Sequence, residues 1–235
     1  MDISIVIPCY NEGNKLINNI HKIVTYMNTL NVSYEIIGVN DGSTDNTKNL
    51  MDNTDIPNVK FQSYSENKGK GYAVMTGINN ALGDIIIFMD ADLSTDISAI
   101  KTVLDNKDKG DIIIGSRRHP DTNLIKKQGP LRKFIGNCCI IFTRLITGLK
   151  VKDTQCGFKA LKKDIAKKIV KKQQIERWAF DVEYLYIAHL NGYKIYEIPI
   201  TWENDEDSKV SPIKSSINFF NDLIKLRARK KEYYF

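Results

Sequence analysis

Asp90 and Asp92 stand two residues apart, directly after the apolar run of residues 85–89. A run of that kind reads as a buried strand, so both carboxylates emerge at a strand end. Two acidic groups this close repel one another unless a cation lies between or beside them. Hard oxygen ligands suit Mg2+ or Mn2+, and such an ion prefers a site shared with substrate phosphates. The plain alternative is a solvated turn ahead of the helix expected from residue 97. Upstream, Asn40-Asp41-Gly42-Ser43-Thr44-Asp45 closes another strand. Gly42 permits a tight turn there, and Ser43 to Asp45 can cap a helix. The functional alternative sets Asp41 against a nucleoside. Pro8-Cys9-Tyr10-Asn11-Glu12 offers an aromatic ring and a carboxylate for a base and a ribose. Asn67-Lys68-Gly69-Lys70-Gly71 is a glycine-rich basic turn before a helix, able to bring backbone N–H groups or a lysine to a bound group. It lacks the spacing of a Walker loop.

These residues need a frame that gathers them. Strands are expected over residues 3–7, 34–39, 59–64, 84–89 and 111–115. Between them lie helical patterns over 13–30, 43–52, 71–82 and 97–104. The first helix is marked by the stripe Leu16, Ile20, Ile23, Val24 and Met27. Five strands alternating with helices predict an α/β fold, an open and mostly parallel twisted sheet flanked by helices. In such sheets ligands bind beyond the carboxyl ends of the strands, where the polar clusters fall. The second half reads as helices over 131–149, 180–190 and 213–231, with a strand over 195–202. With no repeat, linker or composition break, a single domain is expected.

Composition sets the outer bounds. Of 235 residues, 42% are hydrophobic and 26% charged, which excludes a disordered chain. Cys9, Cys138, Cys139 and Cys156 contain no C-x-x-C pair, which excludes a disulfide scaffold and a zinc ribbon and suits a reducing interior. A strand pattern begins within two residues of the N-terminus, which argues against a signal peptide, and no stretch approaches ~18 uninterrupted apolar residues. Net charge is −6 over residues 1–100 and +12 over residues 101–235. Either the lysines are simply solvated, or an acidic half holds a cation and a basic half meets an anionic partner or surface. Trp178 and Trp202 read as core residues.

The strings IVIPCYNE, VNDGSTDNT, NKGKGYAV, FMDADLSTD and IIGSR resemble the inverting family 2 glycosyltransferases of the GT-A fold. DTQCGFKAL, WAFDVEYLYIA and YKIYEIPITW, followed by SKV, are similar to the branch of dolichyl-phosphate glucosyltransferases and polyprenyl-phosphate glycosyltransferases. The resemblance runs in order over roughly residues 3–220. It implies a nucleotide-sugar half (1–116), an acceptor half (117–212) and a C-terminal amphipathic basic helix (213–235). It places Pro8, Tyr10, Glu12 and Asp41 on the nucleoside, with Lys70 and Asp90 also on the nucleotide sugar. Asp90 and Asp92 match its metal motif. Lys209 matches a position near the donor phosphates, Arg117 and Arg132 match positions on an acceptor phosphate, and Asp181 falls where many members keep a catalytic carboxylate.

The implied activity is metal-dependent transfer of a hexose, glucose from UDP-glucose above all, onto a polyprenyl or dolichyl phosphate. The alternatives are a glycan or protein hydroxyl as acceptor, or a non-catalytic nucleotide-sugar-binding module. A phosphate monoester, with a second pKa near ~6, is already a nucleophile and needs cations more than a base. Arg117, Arg118, Arg132 and Lys133 could supply them. A hydroxyl acceptor would need a base, with Asp181 the candidate. Asp181 and Glu183 could equally form ion pairs within the fold, for instance with Arg177 or Lys209. The stripe Ile213, Ile217, Phe220, Leu223 and Ile224, followed by basic residues, suits either an anionic membrane surface or a packed helix. A cytoplasmic protein at the cytoplasmic membrane face is therefore expected, with a homo-oligomer allowed and no nucleic-acid partner.

Overall fold

Side chains that are apolar on both faces build the sheet. The strands are β1 (Ile3–Cys9), β2 (Tyr34–Asp41), β3 (Val59–Tyr64), β4 (Ile85–Phe88), β5 (Ile112–Gly115), β6 (Asn123–Leu124), β7 (Lys159–Lys162), β8 (Ile195–Ile198) and β9 (Thr201–Trp202). The computed structural model describes residues 1–125, 130–203 and 212–235, without the side chains of 130–135 and 212–217. Seven strands form one sheet in the order β3-β2-β1-β4-β7-β5-β8, while β6 and β9 pair separately. All pairs in the large sheet are parallel except those of β7, which runs antiparallel to β4 and β5. The expected open, mostly parallel α/β sheet is therefore present, with one reversed strand inside it.

Helices close both faces. α1 (Asn14–Met27), α2 (Thr47–Asp52) and α4 (Ala99–Asp105) cover one side, packing Leu16, Ile20, Ile23, Met51 and Ile100 against Ile3, Ile5 and Ile7. α3 (Lys70–Asn80), α5 (Pro130–Thr147), α6 (Lys163–Lys172), α7 (Phe180–Leu190) and α8 (Pro212–Ala228) lie on the other, around Val6, Phe88 and Ile114. The 4-3-4 spacing of Leu16, Ile20, Ile23 and Met27 keeps those side chains on one buried stripe.

Register aligns the functional ends. Cys9 pairs with Asn40, and Val6 with Phe88, so Tyr10, Asp41 and Asp90 leave the sheet at the same edge. Lys159 stands opposite both Phe88 and Ile114, so the start of β7 meets that edge from the reverse direction.

Several expectations need correction. β7 and α6 are absent from the sequence reading because Lys159, Lys162 and Lys163 interrupt the apolar signal there. The strand expected over 195–202 is two strands in two sheets. Pro199 lacks the N–H that a continuing ladder needs, and the chain passes from β8 to β9 at that point. The helix expected over 43–52 begins only at Thr47, since the preceding residues are engaged in a loop described below. The C-terminal helix stops at Ala228, and a 3-10 turn (Lys230–Tyr233) buries Tyr233, whose hydroxyl donates to Glu183 at 2.7 Å. Trp178, expected in the core, is 47% exposed. No helix among the described residues is long and apolar enough to cross a membrane.

Candidate active site

Two loops at the sheet edge are tied to one another. Asn11 adopts the left-handed region at φ 57°, which Asn tolerates better than most residues. Its side-chain carbonyl accepts the N–H of Thr44 at 2.8 Å and of Asp45 at 3.3 Å, and its own N–H donates to Ser43 Oγ at 3.0 Å. The loops after β1 and β2 thus form one ledge. Tyr10, 45% exposed, projects from it, with Pro8 and Glu12 partly buried on either side.

Asp41 is buried and accepts hydrogen bonds from four residues. Tyr64 Oη lies at 2.8 Å, Asn67 Nδ2 at 3.0 Å, Lys68 N at 2.8 Å and Gly69 N at 2.9 Å. Burial, with Asp41 beside it, holds the Tyr64 hydroxyl well above its ordinary range. The Asp41 carboxylate therefore fixes the loop that leads into α3. That loop also runs close beneath Gly42, where a Cβ would meet the carbonyl carbon of Glu66 at 2.4 Å and φ is +61°. Lys70, the first residue of α3, is aimed by this anchoring.

Lys70 Nζ lies 2.5 Å from Asp90 Oδ1. Burial alone would lower the Lys70 ammonium, but Asp90, with Asp181 and Asp92 behind it, outweighs burial and holds it above its usual value. Asp90 packs against main chain on its other side. A Cβ on Gly157 would sit 1.9 Å from Asp90 Oδ2, so only glycine leaves that carboxylate its place. Asp92 is exposed, and its Oδ1 accepts the N–H of Ser94 at 2.8 Å. Among the described residues no three His, Cys, Asp or Glu side chains converge as a ready metal cage. Two carboxylates at an open edge fit a hard divalent ion that takes its remaining oxygens from a substrate and water.

The other wall of the crevice is built from ion pairs. Arg117, just past β5, donates Nε and Nη2 to Asp153 at 2.7 and 2.9 Å, and its backbone N–H to the same carboxylate at 3.0 Å. Burial would raise the Asp153 carboxyl, but Arg117 brings it down to about 2. The Arg117 guanidinium also lies over the Trp202 ring at 5.5 Å, close enough to Asp90 to feel its charge. Asp181, in the first turn of α7, pairs with the fully buried Lys159 at 2.5 Å. Among the described residues its ion-pair partner is Lys159 and not Arg177, while Lys209 lies outside them. Glu183 accepts the N–H groups of Gln174 and Ile175 and the Tyr233 hydroxyl, and burial raises its carboxyl. It secures the chain ahead of α7 and belongs to the frame. Burial pushes the Cys156 thiol up to about 11, which leaves it a packing residue and not a nucleophile.

The structure thus brings Asp90, Lys70, Arg117 and Asp181 together at one edge, with Tyr10 and Asp41 on the neighbouring loops. The side chain of Arg132 and the whole of Lys209 lie outside the described residues. Sequence reasoning missed Asp153, Gly157 and Lys159 as site-shaping residues. All three lie in or beside the string DTQCGFKAL. The available signal was a lysine amid the buried alternation Cys156, Phe158, Ala160.

Residues 4–170 match the family described as glycosyl transferase family 2, and the chain belongs to that family. Among characterised relatives it is similar to a dolichyl-phosphate beta-glucosyltransferase of Dictyostelium discoideum, 34% identical over 97% of this chain and 74% of the relative. The Homo sapiens protein of that description is 31% identical over 97% of this chain and 75% of its own length. Among solved structures, glucosyl-3-phosphoglycerate synthase from Mycobacterium tuberculosis with UDP superposes at a TM-score of 0.71, with 15% identity over 97% of this chain and 80% of that one. The same synthase with Mn2+, UDP-glucose and phosphoglyceric acid gives a TM-score of 0.67 at 15% identity, covering 97% and 79%. The fold is the GT-A type expected, and the chain is a glycosyltransferase.

Proposed function

We propose that this chain transfers glucose from UDP-glucose, with inversion at C1, onto a polyprenyl or dolichyl phosphate at a membrane surface. One observation carries the proposal: Asp90, Lys70 and Arg117 converge where β4 and β5 end, which supports a carboxylate able to take a metal beside two cations at one mouth. Overall similarity to the dolichyl-phosphate beta-glucosyltransferases supports the choice of sugar and acceptor.

Asp90 and Asp92 would hold Mg2+ or Mn2+. When bound, the ion supplies neutralising charge to the departing diphosphate. Lys70 adds a second cation to the same anion, fixed in place because Asp41 clamps the loop before it. Tyr10 offers a ring face to the base, and Glu12 a carboxylate to the ribose. Arg117 reaches the acceptor phosphate with the part of its guanidinium that Asp153 leaves available. Arg132 and Lys209 are proposed to add charge to the acceptor and donor phosphates. An acceptor oxygen then forms its bond to C1 while the C1–O bond to UDP breaks, and the electron pair leaves with UDP. A proposed membrane contact draws support from Ile141 and Leu145, 59% and 78% exposed one turn apart on α5. The basic residues Lys225, Arg227, Arg229, Lys230 and Lys231 lie at the end of α8 and just after it, and α8 packs on α5 through Phe220 against Phe142.

Incubating the purified protein with radiolabelled UDP-glucose, Mn2+ and dolichyl phosphate in detergent tests this directly. Labelled glucose should move into the organic phase. If none of the common nucleotide sugars gave an organic-soluble product, the proposal would fail.

A further inference from the structure

Lys159 has no exposed surface. A buried ammonium needs acceptors for its protons and a counter-charge. Lys159 Nζ finds Asp181 Oδ1 at 2.5 Å and the Cys156 carbonyl oxygen at 2.6 Å, and it lies 5.5 Å from the centre of the Phe88 ring. These contacts hold it inside the protein, behind the crevice. Asp181 is itself buried, and the other cation near it, Lys70, is engaged by Asp90. If Asp181 took a proton from a substrate on its other oxygen, Lys159 would lose its counter-charge. That would strand an ammonium in the interior, a state that costs several kcal/mol in proteins generally.

We propose that Lys159 is a positioning residue that withholds Asp181 from service as a general base, so that the site favours an acceptor whose attacking oxygen is already anionic, a proposal that rests on the phosphate-acceptor function above. With a phosphate acceptor the balance closes without a base. The O–C1 bond forms, the C1–O bond to UDP breaks with its electron pair, and no proton is released from the attacking oxygen. With water or an alcohol the same bonds change, but one proton must also go to a base, and the Lys159–Asp181 pair offers none. Lys159 thereby acts on acceptor choice through Asp181, without touching the acceptor. Its bond to the Cys156 carbonyl secures the chain next to Gly157, against which Asp90 packs.

The test compares two reactions of the same full chain with UDP-glucose and Mn2+. One is release of UDP into water, and the other is glucosyl transfer to polyprenyl phosphate. In Lys159→Met the ratio of hydrolysis to transfer should rise at least about tenfold, since a freed general base contributes ~10²–10⁴. Adding Asp181→Asn to that variant should return the ratio to the wild-type level. An unchanged ratio in Lys159→Met, or a raised ratio that survives the second substitution, overturns the proposal. Melting temperature and UDP affinity of each variant establish that it is folded. A second measurement needs no variant: wild-type transfer to the phosphate acceptor should show a solvent deuterium isotope effect near 1, and a value of about 2 or more would mean that a proton is in flight. If the wild-type protein makes no lipid product at all, the proposed function fails. The hydrolysis rates of wild type, Lys159→Met and the double variant still judge Lys159 by themselves.

Discussion

The side of the sheet edge proposed to take the donor and the side proposed to take the acceptor hold their charges in opposite ways. On the donor wall, main-chain groups do the holding. Asn11 ties down the Ser43–Asp45 segment, and Asp41 is surrounded by the Tyr64–Gly69 loop. The side chains left at the mouth are partly open, with Asp90 36% exposed. On the acceptor wall, charges hold charges. Arg117 pairs with Asp153 across 36 residues, and Lys159 with Asp181 across 22, three of the four being buried. The donor wall keeps its acidic groups at the mouth, Asp90 beside Lys70 and Asp92 exposed, whereas the charges of the acceptor wall pair with one another mostly below the surface. A site for a metal-bound diphosphate needs the first arrangement, and a site that receives a pre-ionised nucleophile tolerates the second.

The contrast can be tested in order of expected effect. Asp90→Asn removes one of the two carboxylates proposed to hold the metal, and the partner of Lys70. It should cut kcat by about 10³, with loss of Mn2+-dependent UDP-glucose binding by calorimetry. Retained metal dependence would move the metal site elsewhere. Asp153→Asn breaks a buried pair and should lower unfolding free energy by about 3 kcal/mol in urea denaturation. The sign with pH follows from its depressed carboxyl. Its stabilisation is complete above the unfolded-state value of ~4 and is lost as pH falls through about 2. The variant should lack that part of the acid transition, and an acid limb identical to wild type would show that Arg117 does not depress this group.

Gly157→Ala sharpens the comparison where the walls touch. Its methyl group would need the space that Asp90 Oδ2 now fills, so activity should fall about 10²-fold while the melting temperature changes little. Activity within a factor of three of wild type would mean that the carboxylate has room to move. Tyr10→Ala should weaken UDP binding by about 1 kcal/mol, read as a five- to tenfold rise in Kd, because one exposed ring face is lost. Lys101→Ala, which removes an exposed pair with Asp105 on α4, should change stability by less than about 0.5 kcal/mol.

Much of the donor wall was legible in the sequence because its signals are local. The apolar run ending at Met89 predicts where Asp90 emerges, and the Asn40–Asp45 string announces a turn. Family strings supplied the roles. The acceptor wall was less legible because its logic is pairwise and distant. No local pattern couples Asp153 to Arg117. Lys159 in isolation reads as a solvated surface residue, since lysine is rarely buried without a partner. β7 escaped notice for the same reason: half of its four residues are lysines, and only its neighbours in the sheet make it a strand.

That reversed strand has a consequence for how the molecule is assembled. β4 and β5 do not bond to one another: β7 joins them, and the other partner of β5 is β8. During synthesis β4 therefore keeps an open edge, and β5 has no partner in the sheet, until residues 159–162 have emerged to fill the slot between them. The insertion that fills the slot also delivers Gly157 and Lys159. The edge that carries Asp90 and the join between β4 and β5 are therefore completed by the same segment.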